Sequence, residues 1–443
     1  MTSTPPRRPR TAISQVSHGR GTCLVALLAA IPLLLCAAVV LPGSAPRAAE
    51  EEIMVDGVRH LRNAVPLTPT PERIELEELW RAGGADDEES FFGLIVDVVS
   101  DDQGRIYLLD AQLSEVVVFA PDGRREGTLF REGEGPGEVH GPRDLLALPD
   151  GSLGVVQEAP GKVIAVSREN IPQPSLIAER PDGSEGFVVL IAGVSGGGNI
   201  VLSGIATMRP DEAGRQERHN FLASFTREGS ARTTYATARG DYDFSAFTFD
   251  ERLHSPPIWW GFTVGPDGRV YAALDFDRYA ISVFEPGGDL AMVIERDHEP
   301  LRRASADLAA MRRNIANALP PGAQVEIAVS ETDPAIAYMH RGLRVPFGDR
   351  LWVLPSRGYQ DQPPGVFATY DVFDLEGQWR KQVSLACEGD GNHDGLFLLG
   401  DGRAVLVRGY LEALAAMFGS GTPLSEEDAE APPMEVICYR FPE

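Results

Sequence analysis

A short phrase returns along this chain: an Asp-X-X-Gly or Pro-Asp-Gly turn, followed at once by a burst of apolar residues. It is sharpest at Asp101-Asp102-Gln103-Gly104-Arg105-Ile106-Tyr107, Pro149-Asp150-Gly151-Ser152-Leu153-Gly154 and Pro266-Asp267-Gly268-Arg269-Val270-Tyr271. Looser copies run through Gly197-Gly198-Asn199-Ile200, Gly348-Asp349-Arg350-Leu351 and Gly400-Asp401-Gly402-Arg403. A recurring unit constrains a fold more than any local propensity, because each copy is one supersecondary unit that needs its neighbours. Six tight turns, each between two apolar strands, predict an all-β fold, a six-bladed β-propeller. The residues after the turns are separated by 47, 47, 70, 81 and 53 positions. A four-stranded blade takes about 40–50 residues, so the two long intervals carry insertions.

The last blade is one strand short. It has strands expected at 395–399, 404–407 and 436–441, after which the chain ends. A spare alternating segment at 74–80 precedes the first blade and is the expected donor, closing the ring by pairing with 436–441. Closure removes the exposed sheet edges that invite aggregation. Between blades 4 and 5, Leu308, Met311, Ile315 and Leu319 recur at helical spacing, flanked by Arg302, Arg303, Arg312 and Arg313. They predict a helical insertion near 301–321 with a basic face, and a shorter helix is expected at 411–418.

The first 41 residues read differently. Arg7, Arg8, Arg10 and Arg20 have no acidic counterpart, and an uncharged run of 19 residues from Cys23 to Leu41 follows. As a helix it would span about 28 Å, close to a bilayer core. The positive flank before the run predicts export of everything after it. Two readings stay open for 1–41, a cleaved signal peptide or a transmembrane anchor held in the inner membrane by 23–41. Residues 42–73, rich in Pro and Ala, read as a flexible linker, and 74–443 as the propeller. The expected location is therefore periplasmic or cell-surface.

The whole chain carries a net charge of −25, and −29 once the four N-terminal arginines are set aside. So acidic a domain repels phosphate backbones and anionic headgroups. Nucleic acid is not an expected partner, and membrane contact is expected only through the N-terminal segment. Outside the apolar run the cysteines are Cys387 and Cys438. Export permits a disulfide between them, and two free buried thiols are the alternative.

The chain resembles the bacterial six-bladed propellers related to the NHL-repeat proteins. The residues that carry the resemblance are Gly133-Glu134-Gly135-Pro136-Gly137-Glu138-Val139, similar to the Gly-X-Gly-Pro-Gly-Glu-Phe phrase that links blades in that group. Asp110 after the second strand of blade 1 and the Asp-Gly turns also match. The resemblance implies the propeller fold and a binding platform, with no reaction attached.

Catalytic motifs give little. Gly193-Val194-Ser195-Gly196-Gly197 fits the Gly-X-Ser-X-Gly pattern, but that chemistry needs a strand–elbow–helix setting, and here the serine falls in a turn between strands. His-Glu-X-X-His, Cys-X-X-Cys and the phosphate-loop motif are absent. More informative are His140, His254, His340 and His393, each in a stretch leading into an inner strand. In a propeller these stretches open on one face around the central channel. Arg143, Asp144, Trp259, Trp260, Tyr338, Arg341 and Asp394 belong to the same ring. Concave sites combine aromatics with a few convergent polar groups. The expected ligand site is thus the channel mouth formed by His140, Arg143, His254, Trp259, Trp260, His340, Arg341 and His393. A pair of guanidiniums there would favour a carboxylate-bearing ligand.

The function read from the sequence is an extracytoplasmic binding or scaffold propeller that recognises a protein segment or small ligand at the channel face. No cofactor is expected on this reading, and catalysis is not. The alternative is a metal-dependent propeller hydrolase or lyase, its divalent ion held by the ring of histidines and aspartates at the channel mouth; Asp110, Asp275 and Asp277 open on the same face and could hold calcium.

Overall fold

The computed structural model describes residues 50–442, apart from 65–69, 86, 88–90, 320–324, 361, 412 and 415–432. The 1–41 segment therefore lies outside the described residues, as does most of the helix expected at 411–418. No described helix is long and apolar enough to cross a membrane.

Each repeated turn works as its chemistry requires. Asp101 Oδ1 accepts from the backbone N–H of Gln103 and Arg105, Asp267 Oδ1 from Arg269, and Asp401 Oδ1 from Arg403. The glycine of each turn has positive φ, 75° at Gly104 and 82° at Gly151, Gly268 and Gly402, where a side chain would be strained. These turns join the first and second strands of the blades. Blade 1 comprises Ile95–Ser100, Ile106–Asp110, Glu115–Phe119 and Arg125–Leu129, all antiparallel. Blade 2 uses Pro142–Ala147, Leu153–Gln157, Lys162–Val166 and Pro172–Ile177, and blade 3 the longer Phe187–Gly196, Asn199–Thr207, Arg215–Phe225 and Ala231–Asp243. Blade 4 has Phe262–Val264, Val270–Ala272, Ala280–Phe284 and Leu290–Arg296, and blade 5 Leu343–Arg344, Arg350–Val353, Ala368–Asp374 and Trp379–Ala386. Blade 6 has Gly395–Leu398, Arg403–Val407 and Glu435–Arg440.

The ring closes as the spare strand predicted, with a shift in register. Glu77–Gly83 pairs antiparallel with Glu435–Arg440, setting Trp80 opposite Cys438. The preceding Glu72–Glu75 instead runs parallel to Trp379–Ala386 as a fifth strand of blade 5. Leu76 makes the crossing, its N–H donating to Ala386 O at 2.9 Å. Trp80 stacks on Phe119 of blade 1 with centroids 5.1 Å apart, so the closing strand also fills the seam between last and first blades.

The flexible linker expected at 42–73 is corrected by the strands found there. Glu50–Val55 and Val58–Asn63 form a hairpin, and Arg59–Asn63 pairs in parallel with Met292–Arg296 of blade 4. The chain therefore borders the outer edges of blades 4, 5 and 6 in turn. Leu61 is 2% exposed, and Asn63 donates to Gly377 O and accepts from Trp379 N–H. The segment reads as polar because edge strands bury only one face.

The core is six apolar clusters, one in each seam between neighbouring blades. Second strands such as Ile106–Asp110 are buried along their whole length, while outer strands such as Arg125–Leu129 are exposed at all but one position. That is the pattern of sheets packed face to face around an axis. The insertion between blades 4 and 5 contains the expected helix, Ser305–Ala318. It is tied down mainly by Arg303, which is bidentate to Glu251 and also bonds Asp333.

Candidate functional site

The period of two in the inner strands brings Asp97 of blade 1 and Asp144 of blade 2 to equivalent positions, opposite Leu109 and Val156 of their second strands. Each ties its blade to the next. Asp97 Oδ2 accepts from Leu145 N–H at 2.9 Å, and Asp144 Oδ2 from Gly193 N–H at 2.8 Å. Blade 5 stands opposite blade 2 in a six-membered ring, and from it Arg341 reaches both aspartates. Its Nη1 lies 3.1 Å from Asp97 Oδ1, and its Nη2 donates to Asp144 Oδ1. Arg341 ends the short 3-10 turn Tyr338–His340 in a left-handed conformation, φ 51° and ψ 51°. A non-glycine residue held there is strained, and the two ion pairs offset that strain.

One guanidinium thus faces two carboxylates. Burial pushes Asp97 well above the ordinary carboxylate range; Arg341 opposes this, while Asp144's charge and hydrogen bond add to it. Burial also opposes ionisation of Asp144, but Arg341, the hydrogen bond from Asp97 and the Gly193 amide outweigh it and hold this carboxyl low. The two coupled carboxyls are thus driven in opposite directions, Asp97 up and Asp144 down, as close carboxylates are.

Beside this bridge a small cleft with an enclosed volume of about 20 Å³ opens between blades 5 and 6, lined chiefly by His340, Arg344, Tyr359, Tyr370, Asp394 and Tyr410. His340 stacks on Tyr359 with ring centroids 4.0 Å apart, and burial lowers its pKa to about 4, so the imidazole is neutral at pH 7. Burial, then the charge of Arg341, lowers Arg344 to about 10. Burial raises Tyr370, and it raises Tyr410 to about 12, leaving both phenols protonated. Asp394 is engaged by its own loops, accepting from Gly409 N–H at 2.8 Å and Asp390 N–H at 2.9 Å. In contrast, the Arg344 guanidinium, the Tyr370 hydroxyl and the His340 ring nitrogens make no hydrogen bond or ion pair to any described residue.

No family model matches the chain, and no curated protein matches it. Among solved structures it is similar to bacterial six-bladed propellers. A Bacteroides fragilis protein named for expected export is 11% identical over 84% of this chain and 100% of its own, with a TM-score of 0.42. Regucalcin of Agrobacterium tumefaciens, a calcium-binding protein, is 13% identical over 84% of this chain and 96% of its own, TM-score 0.38. Virginiamycin B lyase of Staphylococcus aureus is 11% identical over 74% and 84%, TM-score 0.34. The blade count stands on the strand pairing itself.

Of the eight residues expected at the channel mouth, the cleft gathers His340 and Arg341. The others are placed elsewhere. His140 is exposed, its ring 3.9 Å from Glu132, and His393 is exposed on its loop. Arg143 pairs with Glu158. His254 is enclosed by Tyr242, Phe247 and Phe249, with centroids 4.9–5.1 Å away. Trp259 is buried in the seam between blades 3 and 4 and donates from Nε1 to Asn220 at 2.8 Å. Trp260 lies nearly parallel to Tyr338 at 6.5 Å. Arg341 corrects the expectation in its own way: it lines the cleft, but its charge is committed to Asp97 and Asp144. The sequence reading missed Arg344, Tyr370 and Tyr410. Arg344 sits in the same short stretch as Arg341, and its position within an inner strand was the available signal.

The carboxylates considered for calcium are occupied by the protein. Asp110 accepts from the N–H groups of Gly93, Leu94, Gln112 and Leu113. Asp275 accepts from Asp277 and Arg278 N–H, and Asp277 pairs with Arg252. Among the described residues no three His, Cys, Asp or Glu side chains form a metal-holding group. The Cys387–Cys438 disulfide is also corrected, since both thiols are free. Cys438 faces the seam between blades 6 and 1, whereas Cys387 packs into the seam between blades 5 and 6. Burial raises both thiols to about 12. Ser195 lies within Phe187–Gly196 opposite Ile200, in a hairpin with no helix to make an elbow.

Proposed function

We propose that the protein is an exported, non-catalytic binding propeller that takes a small ligand or the end of a protein segment into the cleft between blades 5 and 6. The observation that carries this reading is the set of unused polar groups around the cleft. The half-buried Arg344 guanidinium and His340 imidazole and the phenol of buried Tyr370 share one concavity without protein partners among the described residues, which leaves them open to a ligand. The Arg341 bridge holds blade 5 to blades 1 and 2 and so fixes the cleft wall before any ligand arrives, which lowers the ordering cost of binding. Export is supported by the basic flank and apolar run of 1–41.

Screening small molecules and short peptides by thermal shift, with wild type beside Tyr370→Phe and His340→Ala, tests the proposal. Both substitutions should weaken any stabilising ligand. A ligand that binds both variants as tightly as wild type would place the site elsewhere.

A further inference from the structure

We infer that the cleft is a subsite for a single carboxylate, received by Arg344 and completed by the Tyr370 hydroxyl and the His340 imidazole; this rests on the binding reading above. Two guanidiniums lie side by side on blade 5, and the structure treats them oppositely. Arg341 is satisfied by two aspartates. Arg344, three residues on, lines the cleft with no carboxylate in ion-pair range among the described residues. It is half-buried, and the aspartates that act on it from a distance, Asp97 and Asp144, are already bonded to Arg341; a partly desolvated charge without an ion-pair partner is costly to keep. A ligand that brings the missing negative charge accounts for the arrangement.

The chemistry narrows the anion. The guanidinium fork matches the two coplanar oxygens of a carboxylate. Arg344 is the only cleft-lining cation without an aspartate of its own among the described residues, and Asp394 lies on the cleft wall. One positive charge beside that carboxylate suits a monoanion and disfavours a phosphate dianion, as does the net charge of the domain. Protonated Tyr370 donates to a carboxylate oxygen. Neutral His340 presents an N–H donor, and its stack on Tyr359 offers a flat apolar wall to the ligand's body. The enclosed room of the cleft is about 20 Å³, little more than a single water needs, so it admits the carboxylate end of the acid while the body of the ligand stays outside.

The test uses the intact protein and thermal midpoints at constant ionic strength. The probes are propionate, propionamide, inorganic phosphate, and a short peptide with a free C-terminus beside its C-terminal amide. Propionate should stabilise saturably, and propionamide and phosphate should not. Arg344→Gln should weaken carboxylate binding about ten- to a hundredfold, while Arg344→Lys retains part of it. Should Arg344→Gln fail to fold, Tyr370→Phe and His340→Gln serve instead, each expected to weaken binding several-fold.

Equal effects of propionate and propionamide would overturn the carboxylate inference and leave the binding reading standing, as would a preference for phosphate or undiminished binding by Arg344→Gln. If no carboxylate probe stabilises the protein, the inference fails, and the wider ligand screen then decides the binding reading separately. Tighter binding of the free-terminus peptide than of its amide or of propionate would assign the carboxylate to a polypeptide end. The reverse order would assign it to a free organic acid.

Discussion

The Arg341 bridge predicts that Asp97→Asn and Asp144→Asn are each mild and together severe. The bridge holds one guanidinium between two carboxyl groups. Asp97→Asn keeps one oxygen to accept an N–H and replaces the other by an NH2, so it should cost about 1 kcal/mol, the scale of one adjusted hydrogen bond. In Asp144→Asn, Asp97 loses the neighbour whose charge raises its pKa and remains paired with Arg341. That substitution should cost about 1–2 kcal/mol, mostly through the weakened bond to Gly193 N–H. With both replaced, Arg341 is buried without a counter-ion, a state costing about 3–5 kcal/mol. The excess over the sum of the singles should therefore be about 1–3 kcal/mol. Equilibrium urea unfolding of the four proteins at pH 7 measures it. Adding Arg341→Met to the double variant should then recover stability, because the stranded charge is gone. Costs that sum to within about 0.5 kcal/mol, or no recovery with Arg341→Met, would refute the account of one guanidinium shared by two carboxyls. The pH dependence gives an independent sign. Asp97, raised when folded, contributes stability that is complete below its ordinary value of 3.8 and lost as pH rises through its folded value. Asp97→Asn should flatten that decline. Asp144, lowered when folded, acts the other way: its contribution is present above 3.8 and lost as pH falls through its folded value.

Other expectations follow from the same geometry. His340, at about 4 when folded against 6.5 ordinarily, contributes stability that is present above pH 6.5 and lost as pH falls towards 4; His340→Gln should make acid unfolding less steep over that window, and identical slopes would count against a buried neutral imidazole. Removing residues 1–63 strips the blade 4 hairpin and should lower stability while leaving a cooperative transition, whereas removing 1–83 also takes Trp80 and the closing strand and should abolish it; circular dichroism on heating separates the two. A Cβ at Gly123 would lie 2.5 Å from Trp80 Cγ, while one at Gly151, with nearly the same φ, meets nothing within 4 Å. Gly123→Ala should therefore cost about 1–3 kcal/mol more than Gly151→Ala, and equal costs would mean that the Trp80 seam yields freely. Reductant should leave the thermal midpoint unchanged, because Cys387 and Cys438 are unlinked.

The blade plan was legible because its signals are local. An aspartate that bonds the amides two and four residues on, followed by a glycine at positive φ, makes the Asp101–Arg105 turn wherever it occurs. Apolar runs such as Ile106–Leu109 announce strands buried on both faces. The missing strand of blade 6 could be counted, and the spare one before blade 1 was the natural donor. The split of that donor at Leu76 was not visible, since either half alternates equally well and only the neighbouring outer strands decide which half each blade takes. For the same reason the hairpin at 50–63 reads as linker. Its charged residues suit an edge, and its pairing partners lie more than 200 positions away at Met292–Arg296.

The candidate site shows the same division more sharply. The sequence alone put His340 and Arg341 on the channel face, because position within a repeat determines the face. It did not distinguish Arg341 from Arg344, two arginines in one short stretch of similar composition. Arg341 meets Asp144 across 197 residues of chain, and Asp97 from yet farther, only once six blades have closed into a ring. Ion pairing depends on distances of a few ångströms, and ring closure alone sets those distances. Tertiary structure therefore decided which guanidinium is bonded to the two aspartates and which lines the cleft without an ion pair among the described residues.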